Sequence, residues 1–165
     1  MPRKIVKSNS IFIMDTLVTI HSLLRWAIVL TGIWAIIRAI RGVSGNSAYT
    51  AADKKAGLFF MISLDIQLLV GIVLYFISPM AMKAFQSMGG EVMRQAPYRY
   101  FAVEHAFAAI IAIALVHIGR SKVKKAGSDA QRHKLSLIFF LLALVILAAR
   151  VPWPWTAMGA GRGWF

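Results

Sequence analysis

The chain has 165 residues, 59% of them hydrophobic, with a mean hydropathy of +0.68 and a formal net charge of +13. Because the apolar residues stand in long blocks, this composition excludes a soluble domain and indicates an integral membrane protein. The sequence contains no cysteine, which excludes disulfides, thiolate metal sites, iron–sulfur clusters and covalently attached c-type haem.

Four apolar segments predict an all-α fold, an up-down-up-down four-helix membrane bundle that uses residues 1–165 as a single domain. The predicted spans cover 15–40, 57–78, 98–118 and 135–151. Each can cross a hydrocarbon core of about 30 Å, the shortest with one end in the interface. We expect Asp15 to cap the first span and Pro79 to end the second. The Met-rich connection 80–97 is expected to form a short helix on the membrane surface.

The basic residues stand at the ends of the apolar segments, so we expect lipid headgroups rather than nucleic acid as their partners. Ten lie beside the first-to-second and third-to-fourth connections: Arg38, Arg41, Lys54, Lys55, Arg120, Lys122, Lys124, Lys125, Arg132 and Lys134. Eight lie on the opposite side: Arg3, Lys4, Lys7, Lys83, Arg94, Arg99, Arg150 and Arg162. The positive-inside rule then predicts that both termini lie outside the cytoplasm. The bias is larger if Met14 is the natural start; otherwise the first residues form an uncleaved tail.

His21 and His105 lie at matched depth in the first and third predicted spans, about 8–10 Å inside at 1.5 Å per residue. These two spans run in the same direction, and in a sequential bundle they lie diagonally opposite, with room for a macrocycle between them. Two imidazoles on facing helices can be the axial ligands of a b-type haem. We therefore predict one haem b bound by His21 and His105. The alternative is that each histidine bonds across helices or faces interfacial water.

Small residues share the faces of these two histidines. Around His105 they are Ala102, Ala108, Ala109 and Ala112, and near the face of His21 there is Gly32. A stripe of small residues can leave space for a flat ring. The alternative is that small residues let the helices pack closely.

Arg25 lies one turn deeper than His21, and a buried cation in a membrane span must be paired. Asp65 and Gln67 on the second span lie at about the same depth, so we predict that Arg25 pairs with Asp65 or Gln67. The functional alternative is that Arg25 contacts a haem propionate or a quinone carbonyl.

Arg150 lies at the outer end of the fourth span, level with the histidine pair, and either neutralises a propionate or extends to the headgroups. Glu104 adjoins His105 and either stabilises another basic group or relays protons. His117 lies near the inner end of the third span, and His133, in the basic loop beyond, is expected to be solvated. This placement predicts no second haem.

Four strings resemble those of small bacterial four-helix membrane proteins that are labelled cytochrome b-like. They are His21-Ser22-Leu23-Leu24-Arg25-Trp26, Val103-Glu104-His105, Ile118-Gly119-Arg120-Ser121-Lys122 and Pro152-Trp153-Pro154-Trp155, and the resemblance covers about 15–155. It implies a haem-binding electron carrier of the bacterial inner (cytoplasmic) membrane, with His21 and His105 as ligands.

Two functions therefore stay open from the sequence. The first is a small b-type cytochrome, an electron-transfer protein rather than a free-standing enzyme. Its expected partners are the lipid bilayer, a quinone, and other membrane or redox subunits. The second is a haem-free accessory or structural subunit of a larger membrane complex.

Overall fold

The computed structural model describes the backbone of residues 2–160 and the side chains of residues 12–160. Four residues that entered the charge comparison fall outside this part of the chain. They are Arg162 and the side chains of Arg3, Lys4 and Lys7.

Within residues 2–160 there are six α-helices: α1 (Pro2–Ser44), α2 (Ala51–Ile77), α3 (Met82–Met88), α4 (Ala96–Arg99), α5 (His105–Lys125) and α6 (Asp129–Arg150). A 3-10 turn, Gly89–Met93, precedes α4, and a π turn, Tyr100–Glu104, joins α4 to α5. Residues 2–160 contain no strand. Four helical runs are long and apolar enough to cross a membrane: Phe12–Ser44, Ala51–Met93, Ala96–Lys125 and Asp129–Arg150. The prediction of an all-α, multi-pass four-helix membrane fold is therefore confirmed.

The first helix starts earlier than predicted: α1 begins at Pro2, whereas the predicted span begins at about residue 15. Proline is well suited to the first positions of a helix, where its missing N–H has no partner to lose. Asp15 therefore lies inside the helix and does not cap it. Its carbonyl oxygen accepts a hydrogen bond of 3.0 Å from the hydroxyl of Thr19, one turn later.

The second and fourth spans begin earlier than predicted because polar residues cap them. The carboxylate of Asp53 accepts hydrogen bonds from the backbone N–H of Thr50 at 2.7 Å and from its hydroxyl at 2.6 Å. This local arrangement starts α2 at Ala51 and leaves only residues 45–50 between α1 and α2. At α6, the hydroxyl of Ser128 accepts the N–H of Gln131 at 3.2 Å. Hydropathy alone gave the apolar part of each helix and missed its polar first turns.

The chain packs as two compact units, the first formed by the described residues of Met1–Arg25, Gln67–Ala106 and Pro152–Phe165. Its core joins the short helix α3 to the start of the third span through four buried residues, Ala81, Ala84, Val92 and Ala102. The hydroxyl of Tyr75 donates to the carbonyl oxygen of Ala102 at 3.1 Å. The helix predicted within 80–97 is therefore present, and its apolar face is packed against the chain itself.

The second unit comprises Trp26–Ile66 and Phe107–Val151. The rings of Phe60 and Phe140 meet edge to face at its centre, with centroids 5.8 Å apart. Aliphatic residues complete this core: Ile28, Ala35, Ile36, Ala56, Leu64, Ala112, Val116 and Ala143. A Cβ at Gly32 would lie 2.9 Å from the Phe60 ring, so the missing side chain at Gly32 is what admits that ring.

Candidate functional site

The structure brings His21 and His105 together. Their ring centroids are 6.3 Å apart, and the ring planes are inclined by 66°. Both residues belong to the first unit, where α1 supplies His21 and the first residue of α5 is His105. The sequence placed His21 and His105 at matched depth on two parallel spans, and in the structure the two side chains are neighbours.

The second span provides the surroundings of His21. A Cβ at Gly71 would lie 3.3 Å from Cε1 of the His21 ring, so the ring lies directly over this glycine. One turn earlier, the side-chain amide of Gln67 donates to the backbone carbonyl oxygen of His21 at 3.0 Å. Nδ1 of His21 is buried without a hydrogen-bond partner among the described residues. A buried ring nitrogen in this state is costly unless another group satisfies it.

A π turn immediately precedes His105. The backbone N–H of His105 donates to the carbonyl oxygen of Tyr100, five residues earlier, instead of four as in an α-helix. The Tyr100 ring lies nearly parallel to the His105 ring, with an angle of 25° and centroids 6.3 Å apart. Phe101 lies against the same imidazole edge to face at 6.5 Å. π turns are rare in proteins as a whole, but those that occur are often found at functional sites. The apolar pattern of the sequence did not indicate this one.

Glu104 serves the first of its two predicted roles. Its Oε1 accepts a hydrogen bond of 2.8 Å from Nε of Arg99, so the carboxylate stabilises a neighbouring cation. Nη1 of Arg99 also donates to the carbonyl oxygen of Met93 at 3.1 Å. The pair ties the 3-10 turn to the π turn next to His105.

Arg25 is buried, as predicted, but the partner predicted for it is wrong. Its guanidinium carbon lies 5.3 Å from the ring centroid of Trp153, a cation–π contact within the first unit. Trp153 in turn stacks on Trp155, with centroids 5.2 Å apart and parallel planes. The tail therefore returns to the helix that carries His21, a contact that the Pro-Trp-Pro-Trp string did not indicate.

Asp65 and Gln67, the two groups offered as partners of Arg25, point in different directions. They are two residues apart, so their side chains leave the helix about 200° from each other. Gln67 binds the carbonyl oxygen of His21, as described above, and Asp65 accepts a hydrogen bond from Nε2 of His117 at 2.8 Å within the second unit. Asp65 is therefore the partner of His117.

Arg150 is the last residue of α6 and is exposed. It belongs to the second unit. Its role towards a propionate therefore stays a prediction.

The small residues around His105 are used for packing. Ala102 is buried in the core beside α3, and Ala112 is fully buried in the core of the second unit. Ala108 is buried as well. Close helix packing, the alternative considered for this stripe, accounts for these three alanines.

The prediction that His133 is solvated is wrong. Because α6 begins at Asp129, His133 lies on the helix and is 1% exposed. Its ring lies against Gly42 of α1 and meets the ring of Tyr49 at 5.0 Å. Neither of its ring nitrogens has a hydrogen-bond partner among the described side chains, and the same holds for the hydroxyl of Ser136 one turn later.

A polar cavity of about 10 Å³, the size of a single water, lies beside this histidine. Its lining includes Arg38, Tyr49, Asp53, His133 and Ser136. Nε of Arg38 donates to Oδ1 of Asp53 at 2.8 Å. Burial raises the pKa of the Tyr49 phenol above its ordinary value.

The histidine pair fits a bis-imidazole haem. With a metal–nitrogen bond of about 2 Å and a ring centroid about 1.1 Å from each nitrogen, two imidazoles on opposite sides of one metal have centroids about 6 Å apart. The observed separation is 6.3 Å. The buried, unpartnered Nδ1 of His21 is the kind of atom that a ligand would satisfy. The donor set, two histidines and no cysteine, is that of a b-type haem site.

Comparison with known protein families, with characterised proteins and with solved structures finds no match to this chain.

Proposed function

We propose that this chain is a small b-type membrane cytochrome, with one haem b held between His21 and His105. The observation that carries the proposal is the 6.3 Å separation of the two imidazole centroids, a distance at which both rings could hold the same metal. A haem held by two imidazoles is six-coordinate and low-spin, and supplies one-electron transfer rather than oxygen binding. The activity is therefore electron transfer, with a quinone of the bilayer and other redox subunits as candidate partners.

The chain's own residues would hold and tune such a group. Gln67 fixes the backbone at His21, and Gly71 leaves room beside the His21 ring. Tyr100 and Phe101 pack on the His105 ring and limit its rotation. Arg25 is a buried cation one turn from His21 and suits a propionate; Arg150 is the second arginine proposed for that role. With the positive-inside rule, the pair lies toward the outer face of a bacterial inner membrane, with both termini on that side.

A reduced-minus-oxidised spectrum of the protein purified from haem-replete cells tests this function. We expect a sharp b-type α-band. Replacing His21 or His105 by alanine should convert the low-spin spectrum to high-spin or remove the haem, because one axial bond is lost. His117→Ala is the matched control, an exposed histidine of the same helix as His105, and should leave the spectrum unchanged.

A colourless, fully folded protein would contradict the proposal and favour the haem-free accessory subunit. A bleached spectrum in His117→Ala together with an unchanged one in His21→Ala would contradict the assignment of ligands.

A further inference from the structure

The Asp65–His117 pair lies on the exposed surface of two helices. Asp65 lies at the middle of α2 and His117 on α5, both within runs that are long and apolar enough to span a bilayer. The side chain of Asp65 is 39% exposed and that of His117 is 48% exposed. Ionisable residues in membrane spans are rare and pair with one another, so a pair that is exposed within two such runs needs a polar group to cover it.

Each residue of the pair keeps one polar atom that bonds to nothing else in the described chain. Oδ1 of Asp65 and Nε2 of His117 bond to each other at 2.8 Å, whereas Oδ2 and Nδ1 have no protein partner. In water such exposed atoms would be solvated. On a membrane-facing surface an unsatisfied polar atom is costly, so a polar group other than water should cover them.

The chemistry of the free carboxylate oxygen selects the ligand. A carboxylate only accepts hydrogen bonds, so Nε2 of His117 is the donor in the pair and Oδ2 of Asp65 is left as an acceptor. The group that covers Oδ2 must donate through O–H or N–H.

Bulky apolar side chains are exposed near the pair on both helices. On α2, Ile62 lies one turn before Asp65 and Ile66 follows it; on α5, Ile110 lies two turns before His117 and Ile118 follows it. All four are exposed, between 38% and 57%. They offer an apolar ligand a surface to cover around the polar pair.

We propose that the Asp65–His117 pair is a binding site for the hydroxyl group of a membrane-soluble quinol, and that it prefers the quinol to the oxidised quinone. The quinol carries two O–H donors on an apolar body, whereas the quinone carries only carbonyl acceptors. The choice of a quinol over other lipid-soluble alcohols rests on the proposed electron-transfer function. The hydrogen-bond preference rests on the pair alone.

Equilibrium dialysis tests this site with the full chain in nanodiscs of phosphatidylcholine, under anaerobic conditions. The probes are trimethylhydroquinone and its oxidised quinone. We expect the hydroquinone to bind at least about tenfold more tightly, the size of one charge-assisted hydrogen bond. His117→Phe removes the partner that holds the carboxylate in place, so it should reduce that advantage. Asp65→Asn keeps an oxygen for Nε2 but presents NH2 at the other position, so the preference should move toward the quinone.

Asp129→Asn is the matched control, because it makes the same chemical change in an ion pair with Arg132 at the first turn of α6. It should leave binding unchanged. Equal affinity for the two probes, or full binding in both Asp65→Asn and His117→Phe, would overturn the proposal. So would displacement of the hydroquinone by phosphatidylglycerol added to the nanodiscs, which would assign the site to a lipid headgroup.

A photoreactive amino acid at position 118 tests for a protein occupant. A cross-link to a second copy or to another chain in native membranes would overturn the quinol site. The haem spectrum is recorded on the same samples and does not enter the binding measurement. Loss of hydroquinone binding with an intact b-type spectrum therefore contradicts this inference alone, and absence of the spectrum contradicts the proposed function.

Discussion

The imidazole of His133 occupies the space that a side chain at Gly42 would need. A Cβ built on Gly42 overlaps the ring at Nδ1, Cγ and Cε1. Both residues are buried, and the ring of Tyr49 lies 5.0 Å from the imidazole. α6 can pack against α1 in this way only because position 42 has no side chain.

Gly42→Ala should therefore destabilise the protein by about 1–3 kcal/mol, the usual cost of adding a methyl group to a packed site. The measurement is the thermal unfolding midpoint in detergent. Gly127→Ala is the control, because a Cβ there meets nothing within 4 Å and the residue is exposed. Similar unfolding midpoints for the two variants would show that the His133 ring can move aside.

Gly71→Val should disturb the histidine site without replacing a proposed ligand. Its first added carbon alone would lie 3.3 Å from Cε1 of His21, and the branched methyl groups leave the ring too little space. In the haem-loaded protein we expect a partial change from the low-spin to the high-spin spectrum. Gly90→Val serves as the control, since a Cβ there meets nothing within 4 Å. An unchanged spectrum in Gly71→Val would place the haem elsewhere.

Asp53→Ala should cost about 2 kcal/mol of unfolding free energy, because it removes the cap at Thr50 and the partner of Arg38 together. The Asp53 side chain is 5% exposed, so water does not replace these bonds. Glu91→Ala breaks an exposed pair with Arg94 and should have a much smaller effect. Denaturant or thermal unfolding of the two variants gives the comparison, and equal effects would contradict the assigned role of Asp53.

Stability should fall in alkali through Tyr49. Burial raises the pKa of the phenol in the folded state, so the folded protein holds this proton more tightly than the unfolded chain does. The stability is then fully present below about pH 10, the unfolded value, and decreases as the pH rises above it. Unfolding midpoints measured against pH should show this decrease in the native chain and less of it in Tyr49→Phe. An identical alkaline profile in both proteins would mean that other groups cause it.

The parts of the fold that depend on hydropathy and depth could be predicted from the sequence. Long apolar blocks gave the four spans, and two histidines at similar depth gave the pair that the structure brings to 6.3 Å. Depth is a property of position along one helix, so it needs no knowledge of how the helices are rotated.

Contacts that depend on helix rotation could not be predicted in this way. Asp65 and Gln67 have similar depth, yet the first faces His117 and the second faces His21. The burial of His133 follows from the Ser128 cap, which extends α6, and from the space at Gly42. Both signals are in the sequence, as a capping serine and a glycine, but only the fold shows that they belong together.

The π turn before His105 changes which face of the third span its residues occupy from that point on. Its turn holds one residue more than an α-helical turn, so the helix before Tyr100 and the helix after Glu104 differ by about 100° in the faces they present. The extra residue is accommodated within these five positions, and α5 after them is a regular α-helix that carries the rotation. A deletion of one residue inside Tyr100–Glu104 would restore a single phase and turn His105 by about 100° relative to Arg99. The number of residues in this one turn thus sets the direction in which His105 leaves the helix.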